Sequence, residues 1–156
     1  MRFIRPVILL GCCIFMLTGC GSLSKIKAKS SMEAMNRGDV DTYLKDWADD
    51  AVFIYPGNAA ASGEVKGKKA IREWFDNWRE MFPDLKFTIK DIYLKNNIYF
   101  GNSNVMAVHW EASGTNKFGR KVNSSGIGVV TMNGTKISKV QDYIFDAQKL
   151  KEFWGE

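Results

Sequence analysis

An α+β fold is predicted by three features of the chain: apolar residues recur three and four apart through its first half, the period changes to two from Leu85 onward, and turn residues separate the alternating runs. The first half therefore supplies helices and the second a series of long strands. Helices ahead of a strand meander pack on one face of a curved antiparallel sheet.

The elements follow in order. Helical patterning runs from about Ile26 to Asn36, with Gly38 as its stop, and resumes from Asp39, a capping residue, through Ala48. Val52-Phe53-Ile54-Tyr55 has the character of a short buried strand ended by Pro56-Gly57. The clearest helix spans Lys68 to Phe82, where Ile71, Trp74, Phe75, Trp78, Met81 and Phe82 share one face, and Pro83-Asp84 ends it. Strands are predicted over Leu85 to Leu94, Asn104 to Ser113, Lys121 to Met132 and Lys136 to Phe145. Asn96-Asn97, Gly114 to Gly119 and Asn133-Gly134 supply the turns, and Asp146 is placed to cap a closing helix to about Trp154.

The N-terminus carries a different signal. Arg2 and Arg5 precede an almost unbroken apolar run from Val7 to Leu17, the order of a secretory signal peptide, and the run is short of the ~20 residues a membrane-spanning helix needs. It ends at Leu17-Thr18-Gly19-Cys20, which resembles a bacterial lipobox, with the Cys20 sulfur as acceptor of a diacylglyceryl group. The expected organisation is a signal peptide at 1–19, the lipidated cysteine and a flexible tether at 20–29, and one domain at 30–156. Gly21 stands where an aspartate, in enterobacteria, resembles an inner-membrane retention signal, so the expected location is the cell envelope with the outer membrane favoured.

Loss of Arg2 and Arg5 leaves 20 basic against 17 acidic residues, interspersed throughout, which argues against nucleic acid as a partner. Cys12 and Cys13 would leave with the signal and Cys20 would be consumed by lipid, leaving no disulfide and no thiolate metal site. His109 is the single histidine, so neither a metal site nor a cofactor is expected. Any catalysis must rest on carboxylates, tyrosines or this imidazole.

Over residues 30 to 156 the chain resembles the SnoaL-like branch of the NTF2-like superfamily. The resemblance is carried by the order of Asn36-Arg37-Gly38-Asp39, Trp47-Ala48-Asp49-Asp50-Ala51-Val52, Gly67 with Ala70-Ile71, Phe82-Pro83-Asp84, Gly114-Thr115, Gly134-Thr135-Lys136-Ile137, and Asp146 with Leu150. It implies a cone, in which a bent antiparallel sheet wraps around N-terminal helices and leaves an apolar cavity. It leaves the reaction open, because the family includes polyketide cyclases, ketosteroid isomerase, dehydratases, epoxide hydrolases and members that only bind.

Single positions narrow the choice. Where ketosteroid isomerase carries its carboxylate base, before the proline that closes the first strand, this chain has Tyr55, a phenol too weak as a base but able to donate to a carbonyl. The resemblance puts Asp142 at the acid/base position of the SnoaL cyclases and Gly128 where their partner histidine stands. Alternation sets Val140, Asp142 and Ile144 on one strand face, so Asp142 is either a desolvated acid/base in the cavity or a solvated group at its mouth. His109, out of phase with Met106, Val108 and Trp110, is either a hydrogen-bond donor or structural. Gly126 and Gly128 either bend the sheet or leave room above it.

The leading expectation is a membrane-tethered domain that binds a small, largely apolar molecule among Trp47, Tyr55, Trp74, Trp78, Trp110 and Asp142. A cofactor-independent isomerase, cyclase or dehydratase using Asp142 with Tyr55 or His109 is the second. An envelope interaction module, pairing with a second copy through the sheet face, is the third.

Overall fold

The computed structural model describes residues 19–95 and 103–156. Residues 1–18 of the expected signal peptide, and the Asn96-Asn97 turn, lie outside the described residues. The chain forms α1 (Gly19–Arg37), α2 (Val40–Leu44), β1 (Trp47–Tyr55), β2 (Gly63–Lys66), α3 (Lys68–Met81), β3 (Lys86–Leu94), β4 (Ser103–Thr115), β5 (Lys121–Asn133), β6 (Lys136–Ile144), a single 3₁₀ turn (Ala147–Lys149) and α4 (Leu150–Trp154). One six-stranded sheet runs in the order β2-β1-β6-β5-β4-β3. Its concave face receives the helices, giving the α+β architecture expected of an NTF2-like cone.

The meander from β3 to β6 is antiparallel throughout, whereas β1 joins β6 in parallel, so the sheet is mixed rather than wholly antiparallel. Register shifts at Ile89/Asp91 and Thr131/Met132 mark irregularities that add local bend. Alternation then sorts the side chains: Met106, Val108, Trp110 and Ala112 of β4 are buried toward the helices, while His109 and Glu111 face away.

Four boundaries differ from the sequence reading. Helix α1 begins at Gly19 rather than near Ile26, so the segment expected as a flexible tether is helical. The second helix stops at Leu44 instead of Ala48, because Trp47 to Val52 are drawn into β1 by pairing with β6, which buries Trp47 and Ala51. Strand β2 is an addition; with one half-buried residue in four it lacks the alternation that announces a strand. Asp146 stands at the N-cap of the 3₁₀ turn without a side-chain capping bond, and the closing helix itself starts at Leu150.

The motif residues turn out to be joints. Asn36 exchanges two hydrogen bonds with the backbone of Phe87, Oδ1 accepting from its N–H at 2.7 Å and Nδ2 donating to its carbonyl at 2.8 Å, which pins α1 to edge strand β3. Gly38 takes φ +79°, and Asp39 accepts from the Thr42 N–H at 3.0 Å to cap α2. Asp84 accepts from both the N–H and the hydroxyl of Thr115, and at the neighbouring Gly114 a Cβ would stand 2.7 Å from Leu85 Cα. These joints place α1, α2 and α3 above the sheet and so fix the space beneath them.

Candidate ligand cavity

Between the helices and the concave sheet face lies a cavity of about 140 Å³. All six residues expected to line it, Trp47, Tyr55, Trp74, Trp78, Trp110 and Asp142, do contribute to its wall. β1 delivers Trp47, Phe53 and Tyr55 on alternate residues, and α3 delivers Trp74, Phe75 and Trp78 from one helical face. Ring contacts tie the two: Phe53 meets Trp74 edge-to-face with centroids 4.8 Å apart, and Tyr55 lies tilted against Trp74 at 4.9 Å. Across the cavity Trp110 of β4 meets Phe87 edge-on at 5.3 Å, and Phe87 stacks on Trp78 at 5.6 Å. Trp74 Nε1 donates to the Ala61 carbonyl at 3.0 Å, which orients its ring.

One charged side chain lines this aromatic space among the described residues, and it is Asp142. Val140, Asp142 and Ile144 all face inward, as their alternation on β6 requires. Asp142 retains accessible surface where it fronts the cavity, yet it is surrounded by protein closely enough that desolvation pushes its carboxyl up to about 7. Among the described residues no donor hydrogen-bonds to it and no cation pairs with it.

The mid-strand glycines make this placement sterically feasible. A Cβ on Gly128 would lie 3.0 Å from Asp142 Oδ1 and 3.8 Å from Trp110 Nε1, so both polar groups converge above a residue without a side chain. A Cβ on Gly126 would lie 2.8 Å from Trp110 Cζ2 and 2.5 Å from the Tyr143 carbonyl. Of the two roles open to these glycines, leaving room is the one their surroundings require.

Among the further lining residues that the sequence reading did not name are Tyr43 and Ser124. Tyr43, on α2, packs edge-on against Phe75 at 5.0 Å and turns toward the cavity; its helix has five residues, too few to display a period. Ser124 of β5 was within reach, since it is in phase with Val122, Gly126 and Gly128, and its Oγ is buried with no partner among the described residues. Burial raises the pKa of Tyr43 and Tyr55, and the negative charge of Asp142 raises both further; against this, Trp154 Nε1, donating to the Tyr55 hydroxyl at 3.4 Å, pulls Tyr55 down. Both phenols stay neutral donors at physiological pH.

His109 is not brought to the cavity. It sits half-buried on the opposite sheet face with its ring 6.0 Å from that of Phe145, because a strand residue out of phase with Trp110 must point the other way. Tyr93, Tyr143 and Phe145 are exposed on that outer face. Among the described residues, no group of three or more His, Cys, Asp or Glu could hold a metal, and no helix is long and apolar enough to cross a membrane.

Comparison with solved structures agrees with this architecture. Bal32a, from a soil-derived mobile gene cassette, superposes with a TM-score of 0.73 at 15% identity, covering 88% of this chain and 98% of that one. An NTF2-like protein of Burkholderia pseudomallei gives 0.69 at 16% identity over 85% and 97% of the two chains. TerC, co-crystallised with polyporic acid, gives 0.63 at 16% identity over 83% and 96%. No curated protein matches the chain. The SnoaL-like domain family matches residues 28–140, most of the chain, and the protein belongs to that family.

Proposed function

We propose that this SnoaL-like domain is tethered to the bacterial envelope by lipid on Cys20 and takes a small, largely apolar molecule into its cavity, with the polar end of that molecule at Asp142. The observation that carries the binding reading is an aromatic enclosure with a single carboxylate and no competing charge among the described residues. A volume of about 140 Å³ is close to that of an engineered apolar cavity that holds benzene, which supports an occupant of about one ring. TerC, of the same fold, was crystallised with a small organic molecule, in keeping with this use of the architecture. Lipidation rests on the lipobox-like Leu17 to Cys20, and location at the outer membrane on Gly21. Native mass spectrometry of the purified protein tests the reading: a small apolar molecule released on denaturation is expected, and a cavity that neither retains nor takes up any small aromatic compound overturns it.

A second reading, acid–base catalysis on the same site, is favoured by one observation, the Asp142 carboxyl raised to about 7. Asp142 would move the proton and the neutral Tyr55 hydroxyl would donate to a carbonyl oxygen, with no role for His109. Asp142→Asn would then lower turnover by ~10²–10⁴ with ligand affinity little changed. Unchanged turnover would remove this reading and leave binding intact.

A further inference from the structure

The binding reading leaves open what the polar end of the ligand is, and the cavity's chemistry narrows it. No Lys, Arg or His lines the cavity among the described residues, so a carboxylate or phosphate would find Asp142 and the negative faces of aromatic rings and nothing to neutralise it. The Asp142 carboxylate has no internal donor among the described residues, and it lies with the Trp110 indole above the bare Gly128. In the parallel pairing of β1 with β6, Phe53 lies opposite Val140 and Ile54 opposite Gln141, so Tyr55 is the strand neighbour of Asp142 on the concave face, and Tyr43 lines the same cavity. Aromatic faces around an unpaired carboxylate are complementary to positive charge, since the rings attract it through their quadrupoles and the acid supplies the counter-charge.

We propose, resting on the binding reading above, that the polar end of the ligand is a cationic nitrogen, an ammonium or alkylated ammonium on a small apolar body, held between Asp142 and the rings of Tyr43, Tyr55 and Trp110. Binding such a group ionises Asp142, whose proton passes to solvent. The groups that face Asp142 are Tyr43 from α2, Tyr55 from β1, Trp110 from β4 and Gly128 from β5, none of which titrates near neutral pH, so the proton released belongs to Asp142.

Three probes of nearly equal shape separate the possibilities on the full chain: benzylammonium, benzyl alcohol and benzoate, followed by tryptophan fluorescence and calorimetry. At pH 8 benzylammonium is expected to bind about tenfold more tightly than benzyl alcohol, with benzoate weakest. At pH 6.5 its binding should release protons, seen as a dependence of the heat on the ionisation enthalpy of the buffer. In Asp142→Asn the preference for the ammonium should vanish while benzyl alcohol still binds, which also shows that the variant is folded. Benzyl alcohol binding as well as or better than benzylammonium, or a preference that survives Asp142→Asn, overturns the cation proposal and leaves the binding reading standing. Failure of all three probes to bind takes down the binding reading itself.

Discussion

At Asp142 the fold maintains an acid in surroundings that oppose its charge, and this makes stability depend on pH with a definite sign. Its folded value of about 7 lies above the ~3.9 of an unfolded aspartate, so between these values the native state holds more protons than the unfolded one. The contribution is most favourable below the unfolded value and is lost as pH rises through about 7, a change on the order of 4 kcal/mol. Asp142→Asn should therefore have a higher urea midpoint than the native protein at pH 8, with the gap closing toward pH 4. A gap that is constant across that range would show the carboxyl to be solvated. The neighbouring glycines allow a graded test of the space they leave. Gly126→Ala meets the Tyr143 carbonyl and the Trp110 ring and should cost ~2–3 kcal/mol by denaturant titration, whereas Gly128→Ala meets only the Asp142 carboxyl oxygen below 3.4 Å and should cost less. Equal and negligible costs would assign both glycines to curvature alone.

Among the helices, α3 brings Trp74, Phe75 and Trp78 to the cavity wall, while α1 both lines the cavity and is fastened to the sheet edge. Trp78 is buried, stacks on Phe87 and touches Phe82, so Trp78→Ala leaves a void between α3 and the sheet and should destabilise the protein by ~3–5 kcal/mol. An unchanged unfolding midpoint would mean that this helical face does not pack on the sheet. Asn36 acts differently, because its side chain stands in for a missing strand at the β3 edge and satisfies both backbone groups of Phe87. Asn36→Ala strands those groups and should cost ~1–3 kcal/mol, with faster hydrogen exchange at the Phe87 amide as the specific sign. Helix periodicity and strand alternation predicted α3 and the four strands β3 to β6 to within two residues, because those elements are long enough to repeat a pattern several times. Tyr43 on α2 and the strand β2 were not visible, since five and four residues repeat nothing.

For the molecule as a whole, the proposed anchor and the folded domain meet in one helix: α1 begins at Gly19, beside Cys20, and already lines the cavity at Ala28 and Met32. Cys20→Ser should abolish incorporation of labelled palmitate while leaving the unfolding midpoint of the domain unchanged, and palmitate labelling that persists would remove the anchor. The fold class, the lining by Tyr55, Trp74, Trp78 and Trp110, the inward phase of Asp142 and the outward phase of His109 were legible in the sequence, because periodicity along a helix or a strand is a local property that survives into the folded chain. Only tertiary pairing makes β1 parallel to β6 and takes Trp47 and Ala48 out of the expected helix into the sheet. It also decided that Gly128 clears space for Asp142 and Trp110, and that Tyr43 joins them from a separate element. Those outcomes depend on which residues distant in the chain become neighbours, and neither propensity nor periodicity specifies such pairings.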